Sequence, residues 1–169
     1  KDRFASPAWT ARQHAAGRAN RLRFVYTPQV LVQGRDFPDW RGSGSAAAVG
    51  RATGEPPRAT LSLEARYLRG ALVVKASAQV PASGDRNGAA LYIALADSGL
   101  VSEVRAGENA GARLMHDHVV RALHGGIAVN GNGDAAGDVT LPLPSEAGTA
   151  TTVVAFVQNP ETGDVLQTL

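Results

Sequence analysis

Apolar and polar positions along this chain follow two patterns, and they change over near residue 58. Early on, Ala8, Ala11, Ala15, Ala19 and Leu22 recur at close to helical spacing and form a stripe of small residues that could lie close on a sheet. Ser6-Pro7 supplies the start signal: serine caps the first free amides, and proline gives up an N–H that has no partner there. Phe4 and Trp9 fall at the helix entrance, and Arg12, Gln13 and Arg21 fall off the stripe, toward water. Next comes V-Y-T-P-Q-V-L-V-Q-G over 25–34, in which Val30, Leu31 and Val32 form an apolar triplet expected of a strand buried on both faces. Gly34 turns the chain, and Pro28, unable to donate to a ladder, belongs at a strand start or edge. Ser43-Gly44-Ser45 predicts a second, alanine-rich helix over 46–52, and Gly54-Glu55-Pro56-Pro57 ends it in a stiff linker.

Beyond the linker the period shortens. Strands are expected over 59–66, 71–80, 89–96, 100–105, 114–123, 139–143, 151–158 and 165–169, separated by turn signals such as Arg69-Gly70 and Thr162-Gly163-Asp164. Leu61, Leu63 and Ala65 alternate with Thr60, Ser62 and Glu64, giving one dry and one wet face. The stretch 130–137, rich in Gly, Asn and Asp, reads as a mobile loop. The sum is an antiparallel β-sandwich over 58–169, preceded by a separate unit over 1–55.

Composition narrows the function classes. The 169 residues contain no cysteine, which excludes disulfides, thiol nucleophiles and Cys-ligated metals within this chain. No apolar run approaches the roughly 18 residues that span a bilayer. The net charge of +2 is too small to imply a nucleic-acid partner. It is uneven, however: residues 1–41 hold eight Lys/Arg and three Asp/Glu, residues 42–169 nine and twelve. Arg18, Arg21 and Arg23 contribute to that excess and read as a solvated helix end.

His116-Asp117-His118 is the most chemically loaded triplet. On a continuous strand, His116 and His118 would share a face and could ligate a metal, with His124 as a third ligand if the strand bends. The alternative is that the histidines are ordinary hydrogen-bonding residues and Asp117 pairs with Arg113 or Arg121. Glu108-Asn109-Ala110-Gly111 reads as a structural turn. No phosphate loop, nucleophile elbow or calcium-loop spacing is present, and no cofactor is implied.

Four segments in order carry a family resemblance: K-D-R-F-A-S-P-A-W-T-A-R-Q, V-Y-T-P-Q-V-L-V-Q-G, E-N-A-G-A-R-L-M-H-D-H-V-V-R-A-L and V-V-A-F-V-Q-N-P-E-T-G-D-V-L. Together they resemble a bacterial family of unknown function made of secreted thioredoxin-like proteins with an appended C-terminal β-sandwich. The resemblance implies an α+β fold: a partial thioredoxin-like α/β domain, lacking its cysteine-bearing first part, followed by the sandwich. It implies that Thr27-Pro28 is a cis-proline pair that orients a partner peptide. Read from the residues alone, Tyr26 and Trp40 could flank a substrate groove beside Pro28, and aromatic packing between the two domains is the simpler alternative. A trans-proline marking a strand start is the plainer alternative. The resemblance also implies a periplasmic or secreted location and, for a full-length protein, a thiol-disulfide role that this chain cannot perform without a thiolate from elsewhere. A non-catalytic binding or assembly module that uses the sandwich to hold a protein partner is the other reading. A half-domain would expose a sheet edge, inviting homo-oligomerisation or pairing with a missing N-terminal segment.

Overall fold

The computed structural model describes residues 3–108, 110–146 and 148–169. Two antiparallel sheets facing each other across one apolar core dominate it. The four-stranded sheet has the order β11-β10-β5-β8, built from β5 (Ala90–Ser98), β8 (Val119–Ala128), β10 (Ala150–Gln158) and β11 (Val165–Thr168). The three-stranded sheet has the order β3-β4-β9, built from β3 (Thr60–Leu68), β4 (Ala71–Gln79) and β9 (Asp134–Pro142). Val74, Leu91, Ile93, Leu95 and Val157 are wholly buried between them. A short hairpin, β6 (Leu100–Glu103) with β7 (Arg113–His116), stands beside the sheets. A four-residue helix, α3 (Ser83–Arg86), links β4 to β5.

β5 explains much of the layering. Its inward residues Leu91, Ile93 and Leu95 belong to the core, yet Ala94 and Ala96 on the opposite face are also buried. A strand covered on both sides reads as a nearly unbroken apolar run, as A-L-Y-I-A-L-A does.

The expectation of a partial thioredoxin-like α/β domain is overturned. No strand pairing in the described residues is parallel, and the chain is mostly antiparallel β with three short helices. The 25–34 run, expected to be a strand buried on both faces, yields only β1 (Leu31–Val32), paired with β2 (Arg35–Asp36). Leu31 remains 38% exposed. The reason is local: Gln33 and Gly34 both take positive φ, 50° and 76°, so the chain folds straight back on itself. With β2 as its one hydrogen-bonded neighbour, β1 cannot become the centre of a sheet.

The first helix forms where the capping signals place it. α1 (Pro7–Ala19) begins at Ser6, whose hydroxyl accepts from the Trp9 N–H at 3.4 Å. It ends when Arg21, with φ 55°, enters the left-handed region, so that Leu22 N–H reaches Gly17 O and Arg21 N–H reaches Arg18 O. The alanine stripe does not sink into a sheet: Ala8 and Ala11 are exposed, and the one buried residue of α1 is Gly17. The second helix, α2 (Ser45–Gly54), runs slightly longer than the pattern suggests and has no side-chain cap.

Two further expectations are corrected. The stretch 130–137 is not a long loop, since β9 begins at Asp134 and pairs with β4 along its whole length. The loop is only a tight turn, in which Asn130 Oδ1 accepts the N–H groups of Asn132 and Asp134. The expected strand over 114–123 is two strands, because the chain breaks at Asp117-His118, where His118 has φ 53°.

Several ties join the first 58 residues to the sheets. Arg35 pairs with Asp164 in the β10–β11 loop, and the Gly34 turn touches the backbone of Gly163 there. Phe4 sits edge-on against His116 at 5.4 Å and under the guanidinium of Arg121 at 5.5 Å. Arg58 N–H donates to Leu166 O at 3.2 Å, so the chain just after Pro56-Pro57 covers part of the β11 edge.

Candidate functional site

An open groove of about 700 Å3 lies between α1, the Thr27-Pro28 loop and the β10–β11 loop. α1 places Ala15, Ala16 and Ala19 along one wall, and their small side chains are what leaves the space open. Thr27, Pro28 and Gln29 form the facing wall, with Gln158 and Pro160 closing one side. Polar links hold the two walls apart. Asn20, at the end of α1, donates from Nδ2 to Ala16 O and Gly34 O, both at 2.9 Å, and its Oδ1 accepts the Asp36 N–H at 2.8 Å. Gln13 Nε2 donates to Tyr26 O at 3.1 Å.

The Thr27-Pro28 peptide is cis, as the sequence reading expected. Both residues line the groove. Thr27 itself makes no backbone hydrogen bond within the described residues. Its N–H and C=O therefore stand as a donor and an acceptor with no partner among the described residues.

Tyr26 and Trp40 do not flank the groove. The Tyr26 hydroxyl donates to the Asp36 carboxylate, at 2.8 and 2.9 Å to its two oxygens, and Gln29 Nε2 adds a third bond to Asp36 at 3.1 Å. Partial burial first, and the Asp36 carboxylate second, hold the Tyr26 phenol above its ordinary pKa of 10. Trp40 stacks beneath Arg41 at 4.5 Å.

Arg12 is the site residue that sequence reasoning missed. It falls off the small-residue stripe and so reads as a water-facing charge, but the fold lays it over the sheet. Its guanidinium sits 5.4 Å from the Tyr92 ring centre and 5.6 Å from that of Phe156, and those two rings are themselves stacked at 5.2 Å. Arg12 Nη2 donates to Gln158 Oε1 at 2.7 Å, and Gln158 Nε2 in turn donates to Gly163 O at 2.9 Å. The signal in the sequence was faint: Y-I-A-L and F-V-Q put an aromatic on the outward face of two adjacent strands, with Tyr92 opposite Phe156.

The histidine triplet is divided. His116 ends β7, and its Nε2 is buried with no hydrogen-bond partner among the described residues. His118 is exposed in the turn, His124 lies exposed on β8, and Asp117 Oδ1 accepts the Gly99 N–H at 2.9 Å. Arg121 pairs not with Asp117 but with the wholly buried Asp97 at 2.9 Å, which also accepts from Thr151 at 2.7 Å. Arg113 pairs with Glu103 at 3.7 Å. No group of three or more His, Cys, Asp or Glu among the described residues could hold a metal. In the Glu108–Gly111 turn, Asn109 lies outside the described residues, while Ala110 N–H bonds Gly107 O and Gly111 N–H bonds Val104 O. No helix of the described residues is long and apolar enough to cross a membrane.

Comparison with known proteins gives a family and a fold. Residues 1–158 match the family described as "Protein of unknown function (DUF1223)". No curated protein matches the chain. Among solved structures, the chain is similar to HBP35 of Porphyromonas gingivalis, with a TM-score of 0.72 and 14% identity. That match covers 96% of this chain and 57% of the other, so this chain spans little more than half the length of the protein it resembles. At that identity the likeness concerns the fold alone.

Proposed function

We propose that this chain, which belongs to the DUF1223 family, is a non-catalytic recognition module that holds an extended segment of a protein partner in the groove between α1 and Thr27-Pro28. The observation that carries the reading is the pairing of two features on facing walls. One is a wall of small side chains, Ala15, Ala16 and Ala19. The other is the Thr27 backbone, whose donor and acceptor have no partner within the described residues. An extended peptide satisfies such a backbone by adding strand-like hydrogen bonds, while its side chains fill the space the alanines leave. Gln158 and Pro160 bring the sheets into the same groove, so the β-sandwich contributes to binding rather than only carrying it. The chain has no cysteine and can perform no thiol chemistry by itself.

A selection from a random heptapeptide display library on the immobilised chain tests this. An Ala16→Trp variant, which fills the groove from a half-buried position on its helical wall, serves as the counter-selection. Recovered peptides should bind the native chain and lose binding to Ala16→Trp. If every recovered peptide binds both equally, the groove is not the site.

We extend the proposal to location, placing the protein in the periplasm or outside the cell on the strength of the segment-by-segment sequence resemblance. Fractionation of cells expressing the full-length gene checks it, and a purely cytosolic product would overturn it.

A further inference from the structure

The charge of the groove says which peptides it would prefer. Arg12 is its one ionised lining residue, and no Asp or Glu lines it among the described residues. We infer that the groove selects an extended segment bearing a carboxylate, which Arg12 receives; this rests on the peptide-groove reading above.

The argument has three parts. A guanidinium carries five N–H donors, and among the described residues Arg12 makes one hydrogen bond, to Gln158 Oε1, an uncharged acceptor. Its positive charge therefore has no carboxylate counterpart among the described residues, in contrast to Arg35, Arg58 and Arg121, each paired with an aspartate.

Arg12 is also held in place before any ligand arrives. The faces of Tyr92 and Phe156 lie against it and Gln158 anchors one nitrogen, so little rotamer freedom is left to lose on binding. It is half-buried, which keeps its field less screened than that of an exposed arginine.

The surroundings agree in sign. The first 41 residues, which supply most of the groove, carry eight Lys/Arg against three Asp/Glu. Of those three, Asp36 is already bonded to Tyr26 and Gln29. A planar fork beside a neutral groove matches a carboxylate, which can accept two parallel bonds.

Three heptapeptide pools, random except for Glu, Gln or Lys fixed at the fourth position, test the inference by retention on the immobilised chain. The Glu pool should be retained about tenfold better than the Lys pool and severalfold better than the Gln pool, the size expected of one close charge pair. The preference should shrink as salt is raised. Arg12→Met, which keeps the apolar stem over the rings, should abolish it, and Arg12→Lys should keep part of it.

Equal retention of the three pools on the native chain, with binding still lost in Ala16→Trp, overturns the charge inference and leaves the groove standing. Retention of none of the pools overturns both. The comparison among pools on the native chain does not depend on how any variant folds.

Discussion

In the facing sheets, Val74, Leu91, Ile93, Leu95 and Val157 are wholly removed from water, and ladders of nine paired residues join β3 to β4, β4 to β9 and β5 to β10. In residues 3–58 the buried residues are Gly17, Gly34 and Ala48, none of which has a side chain larger than a methyl group. What orders that segment is a set of polar ties: Asn20 to the β1–β2 hairpin, Tyr26 to Asp36, Arg12 to Gln158 and Arg35 to Asp164. Apolar burial at about 25 cal/mol per Å2 stabilises the sheets. The polar ties each contribute about 1 kcal/mol, because water competes for the same groups. The stable half of the molecule is thus a platform, and the lightly held half shapes the groove. Binding surfaces are commonly drawn from the less stable end of a structure.

Four substitutions or conditions probe how separate the halves are. Ile93→Ala should have the largest effect, about 3–5 kcal/mol in chemical denaturation, since its side chain sits in the shared core. A loss below about 1 kcal/mol would mean that the sheets are not the stabilising unit.

Asp97→Ala comes next, at about 3 kcal/mol, because it strands the Arg121 guanidinium, only 17% exposed, and removes the acceptor of Thr151. Arg121 also lies against Phe4, so this change should loosen the N-terminal segment as well as the sheet. Hydrogen exchange that rises at β5 and β10 alone would show that Phe4 is not a coupling point.

Gly34→Ala should cost about 1–3 kcal/mol, since φ is +76° and a Cβ would overlap the Gly163 carbonyl. Its signature is local. Limited proteolysis should accelerate within residues 3–58 while the denaturation midpoint of the sheets stays near its native value. A single shifted transition, without new cleavage, would show that the two halves unfold as one.

The smallest effect is a pH dependence. The Arg58 guanidinium bonds Asp85 and holds its carboxyl below the usual 3.8. A depressed folded pKa means stability that is present above pH 3.8 and lost as pH falls through the folded value. The pair is open to water, so the loss should stay under about 1 kcal/mol. Comparing acid titrations of the native chain and Asp85→Asn isolates it. Identical slopes below pH 3.8 would remove the clamp from the account.

Local chemistry was legible where one or two residues decide the outcome. Ser6-Pro7 starts α1, Gly34 turns the chain, and alternation marks most strands of the sheets, whereas the cis form of Thr27-Pro28 was implied by the family resemblance and not by local preference, which favours trans. The groove was half legible, because the family resemblance points to Thr27 and Pro28 whereas nothing points to Arg12. Its partners Tyr92, Phe156 and Gln158 lie 80 or more residues away, and nothing near Arg12 distinguishes it from Arg18 or Arg21.

Taken alone, the amino-acid order determined caps, turns and the strand period, since these depend on steric limits and hydrogen bonds within a few residues. It also determined that no thiol chemistry can occur in this chain. The tertiary structure decided that the Val30-Leu31-Val32 run would become a two-residue hairpin strand rather than a sheet centre, and that β9 would begin inside an apparent loop. It also placed one arginine among several over a pair of stacked rings. Each of these outcomes turns on which distant partner is within reach, and an apolar run or a charge has the same local preferences whether that partner arrives or not.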